Sequence, residues 1–253
     1  MSGKIEAYYD EFTENFVRDF IEGNERVRRQ LRFFHGALPA AAEKVLVVGC
    51  GSGEGAYHVA CQGASNTEVL AVDLSGKAIE IAQRLFPHPR VEYRKLDVLT
   101  EHLEGSWDAI LLPDVYEHIP SDRRGDLHAR LRALLAHDGV VLITVPSPGK
   151  QEALRVRGDG LQIIDETVTA MDIAKMGDEL GAPLSYMRLV SVWEQDDYMH
   201  AVLSRGAARV APLARRPEGL VRRARRFLDK HIGHRIRRRR VQRALGGLRA
   251  NTT

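Results

Sequence analysis

The chain has 253 residues, 44% hydrophobic and 28% charged, with a formal net charge of +3. That length suffices for one α/β domain with a full core plus appendages. No run approaches the roughly 18 apolar residues of a membrane span, and two cysteines are too few for a disulfide scaffold or a cysteine metal site.

From the start, Met1 to Glu6 runs into a polar amphipathic segment without a signal-peptide core, so a cytoplasmic protein is expected. Tyr9, Phe12, Phe16 and Phe20 recur at helical spacing within residues 4–22. The three phenylalanines read as core packing. Asn24 is placed to cap a second helix with Val27, Leu31 and Phe34 on one face, ending near Gly36 and Pro39.

Val45 to Val48 is a short apolar run, read as a buried strand, followed by Gly49-Cys50-Gly51-Ser52-Gly53. Alternate glycines allow a tight backbone turn against a ligand, and Glu54 to Gln62 can open a helix facing the same crevice. A second apolar strand, Val69 to Val72, ends in Asp73, placed to bind ribose hydroxyls. Dinucleotide folds use G-x-G-x-x-G, and here the last position of that pattern is Glu54. Its carboxylate would repel a pyrophosphate at the helix N-terminus, whereas S-adenosylmethionine has no phosphate. Cys50 suits a small strand-to-loop position and Cys61 a buried helix position, so no metal or disulfide role is expected for either.

Farther along, Val91 to Lys95 is a strand leading into Leu96-Asp97-Val98. Trp107 to Leu112 is another, ending in Pro113-Asp114-Val115-Tyr116-Glu117-His118-Ile119-Pro120. Leu127, Leu131, Leu134 and Leu135 form the stripe of the next helix, and Asp138-Gly139 turns into a strand reaching Pro146. Ser147-Pro148-Gly149-Lys150 reads as a break, and residues 150–165 as an irregular insertion. A helix with Ile173, Met176 and Leu180 stops at Gly181, before strands over Leu184 to Trp193 and Tyr198 to Leu203.

The glycine loop, Asp73, Leu96-Asp97-Val98, Pro113 to Pro120 and the Asp138–Pro146 strand come in one order over roughly residues 44–146. Together they resemble the class I S-adenosylmethionine-dependent methyltransferases, in the small-molecule branch with its "EHI" segment. The resemblance implies a doubly wound, mostly parallel seven-stranded sheet of Rossmann-like type. It implies S-adenosylmethionine at Gly49, Cys50, Gly51, Gly53, Asp73, Leu74, Asp97, Val98 and Pro113. The N-terminal helix is similar to the family's lid-like element, so residues 1–38 are expected to form a helical lid. In it Tyr8 and Tyr9 are expected to shield the sulfonium of the cofactor or line the acceptor pocket, with core packing the other reading for Tyr9. Residues 39–204 are then the catalytic domain, and 205–253 reads as a helical tail. One departure is Val47, where the family usually carries Asp or Glu; Glu54 is a nearby substitute.

His118 is the leading candidate for a base, since imidazole titrates near working pH, with Tyr116 and Glu117 as alternatives; the other reading of His118 is a structural histidine that holds the turn before Pro120. Glu117 also suits the attraction of an amine acceptor. The expected activity is methyl transfer to an N or O atom of a small molecule, a specialised metabolite or sugar derivative. An RNA methyltransferase and a non-catalytic cofactor-binding protein stay open as alternatives. Against RNA, Pro113-Asp114-Val115-Tyr116 lacks the Asn/Asp-Pro-Pro-aromatic string of exocyclic-amine nucleobase enzymes.

Residues 205–253 hold fifteen Arg and one Lys against Glu218 and Asp229, a charge of +14, which leaves −11 on the rest. Leu220, Ala224, Phe227, Leu228 and Ile232, then Val241, Ala244, Leu245 and Leu248, mark two amphipathic helices broken at Gly233. Arg237 to Arg240 stand at a helix start, where the macrodipole disfavours cations, so an outside anion is sought: the acidic body, an anionic membrane, nucleic acid or a partner protein. Nucleic acid is the weakest of these, because only Phe227 interleaves the arginines.

Overall fold

Seven strands form one sheet in a computed structural model that describes residues 2–158, 160–206 and 233–246. They are β1 Lys44–Val48, β2 Glu68–Asp73, β3 Val91–Lys95, β4 Trp107–Pro113, β5 Leu135–Pro146, β6 Leu184–Val190 and β7 Tyr198–Ser204, in the spatial order β3-β2-β1-β4-β5-β7-β6. The first five pair in parallel, and β7 enters antiparallel between β5 and β6. The chain builds outward from β1 in both directions, to β2 and β3 on one side and to β4 and β5 on the other, and this switch in strand order opens a crevice at the carboxyl ends.

Eight helices are described: α1 Ser2–Glu22, α2 Glu25–Ala37, α3 Glu54–Gln62, α4 Gly76–Leu85, α5 Arg124–Leu134, α6 Pro148–Arg157, α7 Ala170–Leu180 and α8 His234–Leu245. Side chains alternate across each strand, so β1 feeds both layers. Leu46 and Val48 join Ile110, Leu112, Leu127, Leu131 and Met176 on one face, while Val45 and Val47 join Phe34, Val59, Ile79 and Leu85 on the other. Helix starts are set by side-chain oxygens: Asn24 accepts from Arg26 N, Ser75 from Ala78 N, and Thr169 forms a capping box with Asp172.

Several local expectations are corrected. Ser147–Lys150 starts α6 rather than breaking the chain: the Ser147 side chain accepts from Lys150 N and Pro148 occupies the first turn, where its missing N–H costs nothing. Irregular backbone therefore begins only at Gly158. β6 ends at Val190, because Val192, Trp193 and Glu194 donate their N–H groups to the Asp197 carboxylate instead of to a strand. Cys61 is exposed, while Cys50 is buried.

α8 lies against α1 and α4, with Val241, Ala244 and Leu245 packed on the second apolar layer. Arg237 Nε donates to Ile21 O at 3.1 Å and Arg240 Nε to Leu85 O at 2.9 Å. The expected helix around Leu220 to Ile232, and Leu248, lie outside the described residues. Among the described residues no helix is long and apolar enough to cross a membrane.

Candidate active site

The glycine loop sits at the end of β1 with all three glycines at positive φ: Gly49 at +70°, Gly51 at +51° and Gly53 at +87°. At Gly49 a Cβ would come within 2.3 Å of Val115 Cγ2, so only glycine fits there. Asp73, closing β2, organises the loop: Oδ2 accepts Gly51 N at 2.8 Å and Oδ1 accepts Ser75 N at 2.9 Å. Burial raises the Asp73 carboxyl above its ordinary value, against the pull of these N–H donors. At the end of β3, Asp97 Oδ1 accepts Leu99 N at 2.9 Å and shapes the next turn.

These strand ends floor a cavity of about 610 Å³. Its roof is α1, which contributes Tyr9, Phe12 and Phe16. The roof is tied down by carboxylates: Asp10 Oδ1 accepts Ser75 Oγ at 2.5 Å and Lys77 N at 3.2 Å, and Glu6 pairs with Lys95.

The far end of the cavity is polar. Asp114 follows β4 at φ +53°, a backbone state that Asp tolerates better than most residues. It pairs with Arg26 and accepts Thr144 Oγ1 at 2.9 Å, and Thr144 Oγ1 in turn accepts Gln30 Nε2 at 2.6 Å. Glu117 is 1% exposed, and its Oε2 has no hydrogen-bond partner among the described residues. Burial pushes its carboxyl up to about 8, so it is mostly protonated at neutral pH. His118 Nδ1 donates to Ile164 O at 2.7 Å, which fixes the tautomer and leaves Nε2 as an acceptor, 3.9 Å from Glu117 Oε1. Burial lowers the His118 pKa, keeping the imidazole neutral. Tyr9 meets this ring edge-on at 6.2 Å.

Of the residues singled out from sequence, Gly49, Cys50, Gly51, Asp73, Leu74, Asp97, Val98, Pro113, Glu117 and His118 all line this one cavity. Gly53 instead caps α3 against Ala82 and Tyr93. Tyr8 lies outside the lining and stacks on Phe12. Tyr116 is corrected as a base: its ring is 1% exposed, its hydroxyl pairs with His128 Nε2 at 2.9 Å, and Arg124 covers its face. Successive side chains of the 3₁₀ turn Tyr116–His118 are rotated by about 120°, so Tyr116 enters the core while Glu117 and His118 face the cavity. Phe12 and Phe16 are corrected in the other direction, being cavity wall, while Phe20 is buried in the core and reaches the cavity's edge.

Arg26, Gln30, Asp114, Gln162 and Asp165 were not anticipated. Arg26 and Gln30 stand four apart on α2, a spacing that puts them on one face and was available as a signal. Asp165, whose carboxylate accepts Gln151 Nε2 at 2.8 Å, lies in a loop with no periodicity to read.

Residues 45–139 match a family model described as a methyltransferase domain. A ubiquinone biosynthesis O-methyltransferase of Dechloromonas aromatica is 36% identical over 89 residues, 34% of this chain and 37% of that protein. One of Chromobacterium violaceum is 34% identical over 95 residues, 36% of this chain and 40% of that protein. The matched segment thus spans well under half the length of these curated relatives. Among solved structures, the DhpI–SAH complex superposes with TM-score 0.61 at 19% identity, covering 82% of this chain and 98% of that one. Magnesium protoporphyrin IX methyltransferase from Synechocystis PCC 6803 gives 0.61 at 19%, covering 81% and 99%. The Burkholderia thailandensis 1,6-didemethyltoxoflavin-N1-methyltransferase gives 0.57 at 22%, covering 77% and 87%. These likenesses establish the fold.

Proposed function

We propose that this chain, which belongs to the class I S-adenosylmethionine-dependent methyltransferases, transfers a methyl group to an oxygen or nitrogen of a small molecule such as a specialised metabolite or sugar derivative, with oxygen the better supported. The observation that carries the oxygen reading is His118: its Nδ1–H is held by Ile164 O, and its basic Nε2 is left for a proton at the cavity's polar end. A base is needed only where the acceptor must lose a proton, as a hydroxyl must and a neutral amine need not. The O-methyltransferase names of the relatives agree with it.

The residues present fit the cofactor. Asp73 spends one lone pair of each oxygen on a backbone N–H and keeps the others for ribose hydroxyls. Glycines leave the loop open to close approach, and Asp97 and Val98, which line the same cavity, are the residues assigned to the adenine ring in this reading. Bound there, S-adenosylmethionine supplies a methyl group activated by a sulfonium. The protein's own work is alignment, exclusion of water by Tyr9, Phe12 and Phe16, and removal of one proton by His118 Nε2. Protonated Glu117 can donate a hydrogen bond to the acceptor beside it.

The test joins calorimetry with S-adenosylhomocysteine to methyl-transfer assays over a panel of phenols, sugars and amines. His118→Asn is expected to cost about 10²–10⁴ in turnover while sparing cofactor affinity. A loss below tenfold would demote His118 to positioning and favour an amine acceptor, held by Glu117.

A further inference from the structure

α8 spends its arginines in two ways. Arg237 and Arg240 turn inward, to Ile21 O and Leu85 O, and Arg240 also covers the rings of Tyr57 and Phe86. With Val241, Ala244 and Leu245 against the core, these contacts fix the rotation of the helix. The opposite face is then Arg235, Arg238, Arg239, Gln242 and Arg243, all exposed, at the i, i+3, i+4, i+7, i+8 spacing of a single stripe.

Such a stripe spans about 12 Å of helix, so four guanidinium groups repel one another at short range. None of the four forms an ion pair with a described carboxylate, and α8 contains no acidic residue. Beside the stripe, Arg239, Arg243 and Arg84 rim a groove floored by Leu85 and Pro87, next to Ile236, which is 63% exposed. Arginines interleaved with aliphatic carbons, with no aromatic side chain on the stripe itself among the described residues, suit lipid phosphates over glycerol and acyl carbons better than nucleobases.

We propose that the outward face of α8 is a docking site for the surface of an anionic phospholipid bilayer. Guanidinium groups would engage lipid phosphates, and Ile236 would reach the apolar boundary beneath them. Because α8 also holds the last turn of α1 through Arg237, docking bears mechanically on the helix that roofs the cavity.

The test is co-sedimentation of the full chain with phosphatidylcholine vesicles, with and without about 30% phosphatidylglycerol, at low and high salt. Binding is expected only to the anionic vesicles, and it should fall steeply as salt screens the surface. Joint replacement Arg235→Gln, Arg238→Gln, Arg239→Gln and Arg243→Gln should weaken it by at least about a hundredfold, with cofactor affinity and melting temperature unchanged. Arg239→Glu alone should cost about tenfold, which serves if the fourfold variant folds poorly. The proposal is overturned if the fourfold variant keeps wild-type affinity or if neutral vesicles bind equally well. Tighter binding of single-stranded RNA than of anionic vesicles would also overturn it and give the stripe to nucleic acid. None of these readouts depends on methyl transfer.

Discussion

Asp73 holds the glycine loop through Gly51 N and the next helix start through Ser75 N, and it lines the cavity. Asp73→Ala is therefore expected to weaken S-adenosylmethionine binding by about 1.5–3 kcal/mol, the loss of hydrogen bonds to a charged group. Calorimetry showing unchanged affinity would remove Asp73 from the cofactor site. Glu117 makes a prediction of a different kind, because its carboxyl moves from the usual 4.5 to about 8 by burial, with the charge of Asp165 adding and Arg26 and Arg124 opposing. Between those two values the folded chain keeps a proton that the unfolded chain has released, so folding stability falls as pH rises through this window. Glu117→Gln carries no such proton. The variant should match wild type at about pH 4 and exceed it by up to a few kcal/mol above about pH 8 in urea unfolding. Parallel stability curves for the two proteins would show that Glu117 is not buried as a neutral acid.

At the scale of elements, the glycine loop tolerates the least change. Gly49→Ala forces a Cβ into Val115 at a backbone angle of +70°, and should destabilise the protein by about 1–3 kcal/mol through strain and overpacking. A thermal melt within a degree of wild type would mean that Val115 and the loop relax freely. This loop was legible in the sequence because alternating glycines after an apolar strand have few other uses, and Asp73 and Asp97 were legible because they end strands. Helix α6 was not, since Ser-Pro-Gly carries both a start signal and a break signal, and only tertiary packing decides between them. Phe12 and Phe16 show the same limit. Helical spacing identifies an apolar face, but whether that face meets core or cavity depends on how α1 crosses the strand ends, where Asp10 and Glu6 anchor it. Asp114 was passed over because its positive φ and its ties to Thr144 and Arg26 join three elements far apart in sequence.

Charge divides the whole molecule into a body of −11 and a last segment of +14, yet α8 is held to that body mainly by apolar packing and by guanidinium groups on carbonyls and rings. Every described strand is complete by Ser204, and Arg205 fastens that end through Leu135 O and Leu180 O. Removing residues 206–253 should therefore leave a folded protein that still binds cofactor. It should be less stable, because Val241, Ala244 and Leu245 leave the apolar layer, and Arg240 uncovers Tyr57 and Phe86. Losses of this kind sum to about 1–3 kcal/mol, read as a lower urea midpoint. Arg240→Gln alone should reproduce part of that drop, about 1 kcal/mol, since it removes the stacking and leaves the helix. If the tail instead adheres by charge, the drop would shrink strongly in high salt, whereas packing on carbonyls and rings is nearly indifferent to it. A truncated chain that fails to fold would make α8 part of the core and move the domain boundary beyond Ser204. A truncated chain as stable as the full one would mean that α8 rests on the body without supporting it, and that its arginines serve only what lies outside.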